Sequence, residues 1–179
     1  DRTTTPGNDV DNATFDAEDA TGLQRLVFQN FGDKNTNSTG DKLIADNLET
    51  TTEVVFEETV NQGTLSPVNV IELNYRQDDG DSDMARLGLI NAVLEDITVE
   101  NTIEALTLES TGNAPNVIEG AIATALIDLT VTGDQPLVLA PSDLEDIDLT
   151  ALETIDASTS AGLTAPLPDA SQVLTVTGS

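Results

Sequence analysis

The chain has 179 residues, 38% hydrophobic and 22% charged, with 33 acidic against 6 basic side chains and a formal net charge of −27. So acidic a chain repels nucleic-acid phosphates and lacks the basic stripe that such binding needs, and it has no apolar run of the roughly 18 residues that a bilayer span takes. His and Cys are absent, which removes imidazole acid–base chemistry, thiol nucleophiles, disulfides and the usual zinc ligands.

Residues 1–22 are polar, acidic and rich in turn signals, with Pro6-Gly7, Asn8-Asp9 and Glu18-Asp19. They read as a lead-in or cap. From Leu23 the texture changes to short apolar runs parted by Gly, Asn, Asp and Thr, and residues 23–179 read as one repeat region. The runs include Leu23-Gln-Arg-Leu-Val-Phe28, Glu53-Val-Val-Phe56, Val68-Asn-Val-Ile-Glu-Leu-Asn-Tyr75, Ile103-Glu-Ala-Leu-Thr-Leu108 and Leu126-Ile-Asp-Leu-Thr-Val131. Many alternate apolar with polar, the mark of a strand with one buried face. The 25 Thr residues suit a half-exposed pleat. Two stretches also carry helical spacing: Ser82–Leu94, through Leu87, Ile90 and Leu94, and Ser142–Ile155, through a capping-box pattern and Leu144, Ile147, Ala151 and Ile155. Strand is the preferred reading of both.

A repeat organises the chain. Leu-Thr-Leu stands at 106–108, Leu-Thr-Val at 129–131 and Leu-Thr-Val again at 174–176. The first interval is 23 residues and the second about twice that, with the intermediate position at Leu152. A fixed period in this range marks a solenoid. The expected fold is therefore all-β: a β-solenoid, or parallel β-helix, of about 22–23 residues per coil, with a β-sandwich as the alternative. The chain opens on Asp1 and closes within a repeat, as expected of a processed product or a piece of a larger protein.

Val99-Glu-Asn-Thr-Ile-Glu-Ala-Leu-Thr-Leu-Glu-Ser-Thr-Gly-Asn113, Leu126-Ile-Asp-Leu-Thr-Val-Thr-Gly133 and Leu149-Thr-Ala-Leu-Glu-Thr-Ile-Asp-Ala-Ser158 resemble the repeats of bacterial surface-layer (S-layer) proteins and RTX-type secreted adhesins. The resemblance covers residues 95–179 well and 23–94 loosely. It implies a right-handed β-solenoid, export to the bacterial cell surface, and calcium-assisted folding and self-assembly. The family's Gly-Gly-x-Gly-x-Asp nonapeptide does not occur here.

Calcium is the ion this composition suits, because it takes carboxylate, amide and backbone oxygens. Asp79, Asp81 and Asp83 have D-x-D-x-D spacing, which lets a tight loop aim alternate carboxylates at one point. Asp33, Asn35 and Asn37 have the related D-x-N-x-N spacing, with Asp41 near. Neither loop is an EF-hand, since Ile44 and Ile90 stand where a bidentate Glu is required. Asp9 and Asp11 form a weaker third candidate. Catalysis is not expected. Carboxylate pairs abound, but Tyr75-Arg76 beside the 78–83 acids is the one place where sugar-cleaving chemistry clusters. The function expected is structural: an extracellular, self-assembling lattice or fibre component, with cell-surface polysaccharide as a further partner. The alternatives are a carbohydrate- or surface-binding β-module and a carbohydrate-active β-helix enzyme.

Overall fold

The computed structural model describes residues 12–29, 42–57, 70–76, 82–100, 102–139, 147–165 and 175–178. In chain order its strands are β1 (Asn12–Asp16), β2 (Arg25–Gln29), β3 (Lys42–Glu49), β4 (Glu53–Glu57), β5 (Val70–Arg76), β6 (Met84–Ile90), β7 (Val93–Val99) and β8 (Ala105–Thr111). They continue with β9 (Asn116–Ile122), β10 (Asp128–Gly133), β11 (Leu137–Leu139), β12 (Ile147–Asp148), β13 (Thr154–Ser160), β14 (Leu163–Thr164) and β15 (Thr175–Gly178). No described residue is helical, so the all-β expectation holds.

The strands form two sheets. The first runs β1-β3-β5-β7-β9-β11-β14, with β12 beside the far half of β9. The second runs β2-β4-β6-β8-β10-β13-β15. Every pairing is parallel. Up to β11 the chain therefore visits the sheets in strict alternation. Like residues stack on like: Leu26, Val54, Leu87, Leu108 and Val131 are successive partners across five strands of the second sheet. Ala85, Leu106, Leu129 and Ile155 form the neighbouring column. These columns face Leu43, Ile71, Leu73, Ile97, Ile118 and Leu137 of the first sheet in one buried core. Burying aliphatic area at about 25 cal/mol per Å² is what holds the layers together.

The Leu-Thr-Leu and Leu-Thr-Val segments at 106 and 129 do stack, Leu106 on Leu129, an advance of 23 residues. The next steps differ from the sequence expectation. Leu129 meets Ile155, and Ile155 meets Val176; Leu152 is not in this column, and Leu174 lies outside the described residues. The period is also not constant. It is 21 from Met84 to Ala105, 28 from Lys42 to Val70 and 33 from Glu53 to Arg86. The longer advances fall where connections are long, as between β4 and β5. One falls within a strand position: β11 and β12 lie along the same neighbour, β9, with residues 140–146 between them. The helical spacing of 82–94 arises because Leu87 and Ile90 lie on β6 and Leu94 on β7, with Asn91 turning between them at φ +51°. In 142–155, Ile147–Asp148 and Thr154–Ser160 are strands joined by a turn, and Leu144 lies outside the described residues.

Both kinds of corner repeat. From the first sheet to the second, an amide donates three residues back: Ala20 to Ala17 (2.9 Å), Thr52 to Glu49 (2.8 Å), Ile103 to Glu100 (3.2 Å), Leu126 to Ala123 (3.1 Å) and Leu152 to Leu149 (3.1 Å). Thr52, Ile103, Leu126 and Leu152 are buried there, so Leu152 is a corner residue. The carbonyl oxygens of Asp83, Glu104 and Ile127 then each accept two successive amides from the next strand. The opposite corner holds a buried polar network. Asn116 Oδ1 accepts from the Ala92 amide at 2.6 Å, and its Nδ2 donates to Ser110 Oγ (2.8 Å) and the Thr111 carbonyl (3.0 Å). Gly133 turns here at φ +112°, and a Cβ on it would fall 2.0 Å from the Ser110 carbonyl oxygen.

Asn116 is fully buried, with its amide oxygen and nitrogen both bonded. Asn116→Ala strands the Ala92 amide away from water and leaves the Ser110 hydroxyl with its bond to the Pro136 carbonyl alone. The expected loss is about 2–4 kcal/mol of unfolding free energy, read from urea denaturation. A variant as stable as the parent means the network does not hold the corner.

Candidate functional site

Of the seven sequence-predicted calcium ligands, only Asp83 is among the described residues. Asp79, Asp81, Asp33, Asn35, Asn37 and Asp41 lie outside them, as do Asp9 and Asp11. Asp83 immediately precedes β6; its amide donates to Glu104 Oε2 at 2.8 Å and its carbonyl accepts from the Glu104 and Ala105 amides. Its backbone is thus tied to the neighbouring strand, at the end of the 79–83 loop. Among the described residues no three acidic side chains converge on a point that could hold a metal ion. The same residues contain no helix long and apolar enough to cross a membrane.

Tyr75 and Arg76 do not form a cluster. Period two sends them to opposite faces of β5. Tyr75 enters the core, where its hydroxyl has no hydrogen-bond partner among the described residues and burial pushes its pKa up. Arg76 faces outward and straps the first corner. Its Nη2 meets Glu49 Oε1 at 2.7 Å, and its Nη1 donates to the Glu18 carbonyl at 2.7 Å. Beside it, Asp16 Oδ1 accepts from the Glu18 amide (2.9 Å) and from Asn47 Nδ2 (3.0 Å), and these bonds lower the Asp16 pKa. The apolar void between the sheets measures about 30 Å³ and is bordered by Leu87, Ile97, Leu108, Ile118 and Leu139.

The outer faces carry the polar chemistry. On the second sheet, Arg25, Glu53, Arg86, Thr107, Thr130, Asp156 and Thr177 are successive partners. Parallel neighbours lie about 4.8 Å apart, so this column sets charges and hydroxyls at a regular spacing. It is acid–base alternating at one end, with Arg25 Nε 2.9 Å from Glu53, and hydroxyl-rich at the other. On the first sheet, Lys42 pairs with Glu72 at 2.5 Å. Farther along, Glu95 sits beside Asp96 and Glu119. Partial burial, with those two carboxylates next, raises the Glu95 pKa.

The remaining special feature is the pair of ends. Among the described residues nothing pairs with the outer edges of β1 and β2 at one end, or of β14 and β15 at the other. Unpaired edges present rows of free amide and carbonyl groups. At the first end the core thins: Phe28 stacks on Phe56 with ring centroids 5.5 Å apart, yet Phe15, Leu26 and Phe28 are only half-buried. Sequence reading marked the loops and passed over these ends. Arg25–Gln29 and Thr175–Gly178 carry no acid, but neither do the interior strands Met84–Ile90 and Leu137–Leu139, so no local signal set these ends apart. Against protein-family models, curated proteins and solved structures, the chain gives no match.

The Glu95 environment makes a signed prediction. At acid pH, below the ordinary carboxylate range, Glu95 is protonated folded or unfolded and costs nothing. As pH rises through its raised folded pKa, ionisation penalises the fold, and the full penalty stands at neutral pH. Glu95→Gln should therefore raise the melting temperature at neutral pH and leave it unchanged at acid pH. The gain is small, under about 1 kcal/mol, because solvent screens a partly exposed carboxylate. Equal shifts at both pH values would refute the acid cluster as the cause.

Proposed function

We propose that the chain is a β-solenoid segment of a secreted bacterial surface-layer or adhesin-like protein, structural in role, extracellular, and assisted by calcium in folding and assembly. The observation that carries this reading is the parallel register, in which like residues stack on like across successive strands of two sheets. Such stacking makes a stiff body whose length grows with the number of repeats and whose ends continue rather than close. The net charge of −27 opposes close packing of neighbours. Divalent cations on oxygen-rich loops relieve that repulsion, and the spacing of Asp79, Asp81 and Asp83, and of Asp33, Asn35 and Asn37, suits calcium. The resemblance of residues 95–179 to surface-layer and RTX-type repeats supports the same placement.

Thermal melting by circular dichroism in calcium and then in EGTA tests this. At a hundredfold excess over Kd, one site adds about 2.7 kcal/mol, or about 5–10 °C for a chain of this size. Asp81→Asn with Asp83→Asn should abolish most of that shift if the 79–83 loop is the site. Identical melting in calcium and EGTA removes the calcium part of the proposal.

A second reading, a module that binds cell-surface polysaccharide, is favoured by the Thr107, Thr130, Asp156 and Thr177 column, which offers hydroxyls and a carboxylate at even spacing. It predicts that Thr130→Val with Thr107→Val weakens sedimentation with insoluble cell-wall polysaccharide at least several-fold and leaves the melting temperature in place. Unaltered co-sedimentation argues against it.

A further inference from the structure

We infer that the two ends of the sheet pair bind each other between copies: β1 and β2 of one chain add onto β14 and β15 of the next, in the same strand direction, as a filament one chain wide. This deepens the assembly reading proposed above and rests on it.

The strand order makes the ends complementary. One end presents the first strand of each sheet and the other presents the last, and every strand of a sheet runs the same way. A second copy shifted along the stack therefore meets each edge with a parallel strand. The contact is heterologous, because the patches differ, and such a contact without closure generates a filament.

The amide directions also match. Glu53 N–H donates to the Gln24 carbonyl. Amides and carbonyls of successive strand residues point to alternate sides, so Leu26 and Phe28 face β4, while Arg25, Val27 and Gln29 face the open edge. Thr175 N–H donates to the Glu153 carbonyl, so Thr175 and Thr177 face β13, while Val176 and Gly178 face outward. Two registers then keep Leu26 and Phe28 over the core, and in one of them Leu26 follows Val176 in the column that already contains Leu106, Leu129 and Ile155.

Little charge opposes the contact. β2, β14 and β15 hold no acid and β1 holds only Asp16, although the interior strands β6 and β11 hold none either. These edges carry no Lys or Pro, and Arg25 is the one basic side chain on them. Val27 is 41% exposed on β2, and Leu26 and Phe28 are half-covered where their neighbours Val54 and Phe56 are fully buried. An added strand pair completes that burial.

Sedimentation velocity across a concentration series, in calcium buffer at physiological and at about 1 M salt, tests the inference. At the higher salt the screening length falls to about 3 Å, and the parent chain should grow into end-to-end oligomers. Val27→Pro and Val176→Pro each remove one outward amide and leave the inner ladder intact. Each alone should stay monomeric with an unchanged circular dichroism spectrum. Mixed in equal amounts they should form dimers and nothing larger, because each keeps one working end. Val27→Lys, which retains the amide and adds an edge charge, should also block growth, and it replaces Val27→Pro if that variant fails to fold. Should both Pro variants assemble like the parent, growth runs through the sides and the end-to-end contact is overturned while the assembly reading stands. Mixed variants that exceed dimers overturn it too. A parent chain that stays monomeric throughout overturns both.

Discussion

Everything in this fold depends on backbone hydrogen bonds that run along the stack rather than within each layer. A parallel strand cannot be satisfied by the segment that follows it in sequence; its partner is the strand after next, reached through the opposite sheet and two corners. An unpaired buried amide costs about 1–3 kcal/mol. Each corner must therefore return the chain one strand spacing farther along, in register, or a whole row of amides is lost. The corners meet that demand by repetition. The carbonyls of Asp83, Glu104 and Ile127 each accept two amides from the next strand, and the same three-residue turn closes at Glu49–Thr52, Glu100–Ile103, Ala123–Leu126 and Leu149–Leu152. At the other corner, where the turn residues are Asn91, Gly112, Gly133 and Gly162 at positive φ, the Asn116 amide joins three segments at once.

Register also decides where charge goes. In a stack whose like positions align, an acid at an outward position faces whatever stands at that position in the next strand. Directly opposed acids repel, and the second sheet avoids this by alternating Arg25, Glu53 and Arg86 and then turning to Thr107 and Thr130. The first sheet is less careful, and Glu95 next to Asp96 and Glu119 is where the cost shows. Long connections are the other outlet for carboxylates, because water solvates them there. Both oxygen-donor loops of the calcium proposal, 33–41 and 79–83, lie on connections whose length stretches the repeat beyond its shortest advance of 21 residues.

How much of this was written in the sequence follows from what a linear reading can see. Period-two alternation made the strands visible, and Leu106 and Leu129 gave their true register because the corners before β8 and β10 are alike in length. Val176 was missed in favour of Leu174 because both keep the same parity, and only the backbone bond from Thr175 to Glu153 separates the two alignments. A fixed period could not survive connections of unequal length, yet the stack tolerates them, since loop-closure cost rises only slowly with length. The helical spacing at 82–94 was an accident of two short strands meeting at a tight turn. The carboxylate loops declared themselves by composition. Asn116 did not, because nothing local distinguishes an asparagine that bridges residues 92, 110 and 111 from one that ends a turn.

The same constraint that builds the interior leaves the ends incomplete. A stack whose satisfaction is always supplied by the neighbouring layer has no internal means of finishing, so its first and last strands must meet water, more chain or another copy. Water is the poorest partner for half-buried Phe15, Leu26 and Phe28, whose counterparts one layer in are sealed. Carboxylates would suit those strands to water, and an acid-rich composition had many to place. β2, β14 and β15 carry none, a lack they share with the interior strands β6 and β11, so charge alone does not set the ends apart. What distinguishes the first end is burial: Val54 and Phe56 are sealed between β2 and β6, whereas among the described residues Leu26 and Phe28 have a strand beside them on one side alone.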